Sequence, residues 1–165
     1  MSAAWLNFAT VIIIQLLLFA VLAYFFEKKL SYLPRILGRS ALIGLVFGLL
    51  FDLVLGKSFG INSYMFGFSA FFLTLNGTLS YGLFAASILL LRHIRLSYFC
   101  ILIILMMVVY EITNHLFPVW IWEFAFPPIQ FLATLSVGYL GGAILIAFIW
   151  HHILGERFFF IDNWR

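Results

Sequence analysis

The stretch FATVIIIQLLLFAVLAYFF, residues 8–26, has no charged side chain and is long enough to cross the hydrocarbon core of a bilayer as a helix. The runs that follow are continuous rather than alternating in polarity, which is typical of spanning helices and not of barrel strands. We therefore predict one all-α domain over residues 1–165, a polytopic transmembrane helical bundle. Its four further spans are predicted at residues 42–55, 65–91, 96–117 and 129–150.

The composition excludes the main soluble classes. The chain is 65% hydrophobic and 20% aromatic, and only 9% of its residues are charged, against about 25% in a typical soluble domain. The single Cys100 excludes an internal disulfide. The first run has no preceding positive charge and no small-residue cleavage site after it, so we predict a retained helix rather than a signal peptide.

The basic residues predict the orientation. Five spans would leave Lys57 alone on one side of the membrane and all the other Lys and Arg residues on the opposite side. Basic loops mark the cytoplasmic face, so we predict a multi-pass cell-membrane protein with its N-terminus outside and its C-terminus in the cytoplasm. The net charge of +3 then reflects topology, and no nucleic-acid partner is expected. The basic residues on the predicted cytoplasmic side are Lys28, Lys29, Arg35, Arg39, Arg92, Arg95, Arg157 and Arg165.

Aromatic and small residues add detail to this topology. The tryptophans fall near predicted span ends, as an interfacial aromatic belt requires. The long third run has a candidate kink at Asn76-Gly77. Residues 119–126 form an apolar loop that could dip back into the membrane. The tryptophans concerned are Trp5, Trp120, Trp122, Trp150 and Trp164.

Ionisable groups inside a bilayer are costly, so each one is a candidate functional residue. Asn114 and His115 follow Glu111 by three and four positions, so both lie on the same helix face as Glu111. A carboxylate beside an imidazole can do general acid–base work, and the same pair can instead belong to a structural hydrogen-bond network. Asp52 has the same two interpretations. The candidate catalytic residues are therefore Glu111, His115 and Asp52.

Polar residues of the third run extend this set. Asn76 and Ser80 share a face, and we expect Asn76 to bond across to Asp52 or Glu111. Glu-x-x-x-His alone supplies only two ligands, so no metal is expected, and no motif predicts a cofactor. The pair His151 and His152 could ligate a tetrapyrrole, or lie at the interface near a helix C-terminus. The predicted intramembrane polar network is Asp52, Asn76, Ser80, Glu111, Asn114 and His115.

Glycines four residues apart predict close helix contacts, because no side chain holds the two backbones apart. They occur before and after Asp52 and on one ridge of the fifth run. Two partners are open for this contact, another helix of this chain or the helices of another membrane protein in a hetero-complex. The predicted helix-packing glycines are Gly44, Gly48, Gly56, Gly138 and Gly142.

The segment GLVFGLLFDLVLGKSFG, residues 44–60, resembles the signature of the bacterial rod-shape-determining family MreD. The resemblance implies a small, non-catalytic inner-membrane scaffold or partner subunit of the cell-wall elongation machinery that maintains cell shape. The polar face formed by Glu111, Asn114 and His115 has no counterpart in that family.

A second resemblance implies an enzyme. Asp52-Leu53, then Phe59-Gly60-Ile61-Asn62, Tyr64 and Gly67, is similar to the lycopene-cyclase-type membrane domains. That family implies acid-initiated cyclisation of an isoprenoid in the bilayer, with a hydrophobic lipid or isoprenoid ligand. Such domains continue with Pro-x-Glu-Glu where this chain has residues 75–78, LNGT, so Glu111 would have to supply the missing carboxylate.

Overall fold

The computed structural model describes residues 2–27, 30–123 and 127–163. Within this described part, five helices are long and apolar enough to cross a membrane, so the predicted all-α transmembrane bundle is confirmed. We number these helices as spans one to five. They are Ala3–Phe26, Leu33–Ser58, Ala70–His93, Leu96–Leu116 and Ile129–His152.

Two of the spans are not regular α-helices throughout. The second span changes to π-helical geometry over Phe51–Ser58. The third does so over Gly77–Tyr81, at the position of the predicted kink, and ends in a 3₁₀ turn over Leu91–His93. A further 3₁₀ turn, Leu30–Tyr32, precedes the second span. The α-helices are α1 Ala3–Phe26, α2 Leu33–Leu50, α3 Ala70–Asn76, α4 Gly82–Leu90, α5 Leu96–Leu116, α6 Pro128–His152 and α7 Phe159–Asp162.

The span boundaries differ from the sequence prediction at two places. The second span begins at Leu33, well before the predicted residue 42, because Pro34 favours a helix start and the following polar residues stay in the first turns. The third begins at Ala70 rather than at residue 65, since Gly67 has a φ of +64° and the Ser69 side chain caps the backbone N–H of Phe72 at 3.3 Å.

A small sheet, which the sequence interpretation missed, joins two loops at one end of the bundle. Strand β1, Asn62–Tyr64, pairs antiparallel with β2, Trp120–Trp122. Asn114 holds β2 in place, because its side-chain oxygen accepts from the backbone N–H groups of Val119 and Trp120 at 2.9 and 3.1 Å. We call this the sheet end.

The opposite end, which we call the arginine end, carries ion pairs between separate loops. Arg92 binds Glu27 at 2.8 Å, and Arg39 lies 3.5 Å from Glu156. The Tyr32 hydroxyl donates to Glu156 at 2.5 Å, and burial together with this hydrogen bond raises the pKa of Tyr32. Lys28, Lys29, Trp164, Arg165 and residues 124–126 of the predicted re-entrant loop lie outside the described residues.

The third span lies at the centre of the bundle. Every residue of α4 is buried, and α4 contacts α1, α2 and α6. Trp150 is fully buried against it and donates its indole N–H to the Ala85 carbonyl at 3.1 Å. The prediction that Trp150 belongs to a lipid-facing aromatic belt is therefore wrong, because a tryptophan near a helix end can equally fill an interior position.

Candidate functional site

A cavity of about 300 Å³ lies inside the bundle beneath the sheet. Residues from all five spans and from both strands line it, among them Phe47, Phe84 and Trp122. Thr134 and Gly138 line it as well and are exposed, so the cavity opens beside the fifth span. That opening lies within a membrane-spanning segment, where the surroundings are lipid.

Asp52 forms the first of two polar clusters beside this cavity, and its side chain is fully buried. Its carboxylate accepts hydrogen bonds from the Tyr64 hydroxyl at 2.6 Å, the Tyr81 hydroxyl at 2.9 Å and the Asn76 amide at 3.4 Å. Asp52 is not itself among the lining residues, whereas its three donors are. The donors therefore stand between the carboxylate and the cavity.

Irregular backbone positions this first cluster. Asp52 and Tyr81 each lie in one of the two π-helical segments, and Tyr64 ends strand β1. A π-turn re-aims the side chains that follow it, and such turns are frequent at functional sites. Tyr64 lies outside the spans, and burial and the neighbouring Asp52 raise its pKa well above the ordinary value for tyrosine, so its hydroxyl stays a donor.

Glu111 forms the second cluster with residues of β2 and the fifth span. Its carboxylate accepts from the Trp122 indole N–H and from the Tyr139 hydroxyl, both at 3.0 Å. Trp122 and Tyr139 line the cavity, whereas Glu111 does not. Two carboxylates on different spans are thus each screened from one cavity by aromatic donors.

The other predicted network residues lie elsewhere. Ser80 accepts a hydrogen bond from the Gln15 amide at 2.9 Å and belongs to neither cluster. Asn114 is bonded to the backbone of β2. His115 is exposed, so the direct Glu111–His115 pair suggested by their spacing does not form. Spacing along one helix placed the two residues on one side, but the partners of Glu111 come from other elements.

The predicted packing glycines of the second span contact two different elements of the chain. A Cβ at Gly44 would overlap the backbone of Gly82, and one at Gly48 would lie 2.9 Å from the Cα of Gly77. Both glycines therefore pack against the third span of the same chain. A Cβ at Gly56 would meet the side chain of Asn62, the first residue of β1, at 2.5 Å.

Gly142 and Gly138 differ although they lie one turn apart on the fifth span. A Cβ at Gly142 would contact the Phe47 ring of the second span at 3.3 Å. One at Gly138 would meet nothing within 4 Å, so Gly138 packs against no helix in the described part of this chain and lines the cavity mouth. Its assignment as a helix-packing residue therefore stays a prediction, for a helix of another protein.

Several residues of the site were not predicted. Tyr81, Tyr139, Tyr110 and Gln15 all lie within spans and line the cavity. The signal that could have found them is position, because tyrosine in a membrane protein usually concentrates at the interface and not inside a span. Gln15 is the single amide in the first apolar run. A polar amide within an apolar span indicates a site residue in the same way as the tyrosines do.

Other candidate sites do not coincide with the cavity. His151 and His152 lie at the arginine end, where His151 is 3.8 Å from Asp162. Among the described residues, no three His, Cys, Asp or Glu side chains are placed to bind one metal ion.

Comparison with known proteins adds no further constraint. No family model, no curated protein and no solved structure is detectably similar to the chain.

Proposed function

We propose that this protein binds a lipid-soluble molecule, of the size and chemistry of an isoprenoid, in the cavity between its second and fifth spans. The observation that carries the proposal is the cavity itself, which opens where the chain faces lipid and is lined by aromatic rings and hydroxyls. Concave, largely apolar sites with a few convergent polar groups are typical of small-molecule binding.

The wall of the cavity indicates the body of the ligand. Phe47, Phe51 and Tyr81 are mutual ring neighbours on one side, with centroids 6.0–6.3 Å apart. Phe84 and Tyr139 form an edge-to-face pair at 5.8 Å on the other. Such walls favour an elongated apolar or polyene chain, which gains dispersion contacts with the rings.

The alternative is the non-catalytic scaffold of the MreD-like resemblance, and the glycines bear on it. The third span of the same chain packs against Gly44 and Gly48, so these two glycines offer no free surface to a partner helix. The physical feature that favoured a scaffold is thus accounted for by the internal fold. The alternative stays a hypothesis for the remaining lipid-facing surface.

A second candidate function is acid–base chemistry on the bound molecule. The observation that favours it is the repeated pairing of a carboxylate with a phenol at the cavity wall, Asp52 with Tyr81 and Glu111 with Tyr139. A phenol bonded to a carboxylate can relay a proton away from a bound molecule, because the phenol gives its own proton to the carboxylate as its oxygen takes one from the ligand. Replacing Glu111 with Gln keeps an acceptor for Tyr139 but removes the base.

Orientation and location complete the proposal. We place the arginine end in the cytoplasm and the sheet end outside, because the described basic residues other than Lys57 lie at or beside the arginine end. They are Arg35, Arg39, Arg92, Arg95 and Arg157. The cavity then lies in the outer half of the cell membrane. Cysteine labelling at positions 57 and 93 tests this, and position 57 alone should react from outside.

The binding proposal is tested with retinol, an isoprenoid alcohol whose absorption overlaps tryptophan emission. Protein in lipid nanodiscs should transfer excitation energy to retinol, because Trp120 and Trp122 line the cavity. Replacing Gly138 with Leu should fill the mouth and weaken binding at least about tenfold, since a blocked site loses most contacts of the ligand.

The matched control is Gly141, which is also exposed on the fifth span but does not line the cavity. Gly141→Leu should bind retinol as the wild type does. Equal retinol affinity in wild type and Gly138→Leu would overturn the proposal. The acid–base function is tested with Glu111→Gln and Asp52→Asn. If both variants still convert the bound molecule chemically, proton transfer by these two carboxylates is excluded.

A further inference from the structure

We infer that the bound molecule carries an uncharged hydroxyl group, and that Gln15 and Tyr110 bind it. The inference rests on the proposed function and specifies the substrate class of the same cavity. Both residues line the cavity, and each side chain is more than nine-tenths buried.

Each residue has one polar atom without a partner. Gln15 donates its amide N–H to Ser80, but its Oε1 oxygen has no hydrogen-bond donor in the described part of the chain. The Tyr110 hydroxyl has no partner there either. Two further lining residues, Asn62 through its Oδ1 and Trp120 through its indole N–H, have a buried polar atom without a partner there as well. A buried polar group left unsatisfied costs about 1–3 kcal/mol, so several in one cavity indicate that something else completes them.

The two residues contact the same face of the third span. Gln15 bonds to Ser80, and the Tyr110 ring packs edge-on against Phe84 with centroids 6.2 Å apart. Ser80 and Phe84 are four residues apart and therefore lie on one side of the span, about one turn from each other. Gln15 and Tyr110 thus flank one stretch of the cavity wall.

The chemistry of the pair defines the group they bind. An amide oxygen can only accept, so Gln15 requires a donor on the ligand. Tyr110 can donate to an oxygen of the ligand. A hydroxyl group supplies both functions, whereas an aldehyde, ketone or ester supplies only the acceptor.

The charge of the lining excludes an anionic head group. None of the described residues that line the cavity is Lys, Arg or His, so a phosphate or carboxylate would be buried without a counter-charge. The carboxylates of Asp52 and Glu111 lie just behind the wall and would repel an anion further. The ligand is therefore a neutral alcohol with an apolar body.

Three retinoids that share one skeleton test this inference. Retinol donates and accepts, retinal only accepts, and retinoic acid is ionised at pH 8. In wild-type protein we expect retinol to bind about tenfold more tightly than retinal, the equivalent of one unpaired buried group. Retinoic acid should bind most weakly of the three.

Substitutions assign the two contacts separately. Gln15→Met should weaken retinol binding but not retinal binding, so that the preference falls from about tenfold to about twofold. Tyr110→Phe should weaken both by a similar factor, because both ligands accept a hydrogen bond. Ser87→Ala is the control, since Ser87 is a buried serine of the same third span that does not line the cavity, and it should leave the preference unchanged.

The outcomes separate this inference from the binding proposal. If retinol and retinal bind equally to wild type, or Gln15→Met keeps the full preference, the hydroxyl assignment is wrong, while a loss of binding in Gly138→Leu still supports the cavity as the site. If none of the retinoids binds to wild-type protein, both the assignment and the binding proposal fail.

Discussion

The two halves of this bundle are built differently. Towards the arginine end, Ala85, Ala86 and Ile88 to Leu91 are buried without a gap against their neighbours, and Trp150 is completely enclosed. Towards the sheet end, the same five spans diverge around a cavity of about 300 Å³. One half is packed by apolar and small side chains, and the other is held by hydrogen bonds between polar and aromatic ones.

The two halves also differ in the regularity of their helices. Both π-helical segments, Phe51–Ser58 and Gly77–Tyr81, lie beside the cavity. In lipid, every backbone polar group must be satisfied within the protein, so irregular helix is tolerated only where it is buried or lines a cavity. Regular helices are sufficient where the spans only pack against one another, as they do towards the arginine end. The irregular segments are therefore confined to the half that holds the cavity, the half in which we propose that a ligand binds.

The largest effect should come from breaking the contact that holds the second and third spans together. Gly44→Leu would drive a side chain into the backbone of Gly82, which cannot move aside. We expect loss of the folded bundle, measured as loss of a monodisperse peak in detergent chromatography. Gly38→Leu is the matched control on the same helix, because a Cβ there meets nothing within 4 Å. A well-folded Gly44→Leu protein would contradict the packing described here.

The next effect tests the packed half alone. Trp150→Ala removes a fully buried ring and its hydrogen bond to Ala85, and should destabilise the protein by about 3–5 kcal/mol. Unfolding in mixed detergent micelles measures the change. Phe25→Ala, at a position that is 71% exposed, should cost far less. Similar losses for the two variants would mean that Trp150 is not a core residue.

A smaller effect is expected from the polar half. Asp52→Ala leaves the hydroxyls of Tyr64 and Tyr81 without their acceptor, at a cost of about 1–3 kcal/mol for a buried donor. Asp52→Asn retains an acceptor oxygen and should recover most of that stability. Thermal unfolding in nanodiscs compares the three proteins. Should Asp52→Asn be as unstable as Asp52→Ala, the charge and not the hydrogen bonding would hold the cluster.

The bundle was predictable from the sequence because its signal is local. Continuous apolar runs define spans in a solvent that cannot satisfy a bare backbone, and the kink at Asn76-Gly77 follows from residues adjacent in the chain. Start positions were less predictable, since Leu33 and Ala70 depend on capping and turn residues.

The candidate site was only partly predictable because it is assembled across spans. Asp52, Asn76 and Glu111 were identified as costly intramembrane groups, and Asp52 and Asn76 do meet. Their tyrosine partners come from distant segments, and which partner Glu111 selects depends on strand β2. Two three-residue strands carry too little sequence pattern to predict their pairing, so the roof of the cavity, and the contact of Trp122 with Glu111, could not be inferred.

The smallest effect compares an open position with a filled one directly, because the same Gly→Ala substitution is made at both. Gly138→Ala adds a methyl group to open space at the cavity mouth, so helix propensity should stabilise the protein by up to about 1 kcal/mol. Gly82→Ala offers the same propensity gain, but its Cβ would lie 3.1 Å from the Cα of Ala41, a backbone atom of the packed interface. There we expect a net destabilisation of about 1–3 kcal/mol, as overpacking a filled interior requires. Thermal unfolding of the two single variants gives the comparison. Opposite signs are expected from one open and one filled position, whereas an equal destabilisation of both variants would show that the fifth span closes over the cavity and that Gly138 meets a neighbour.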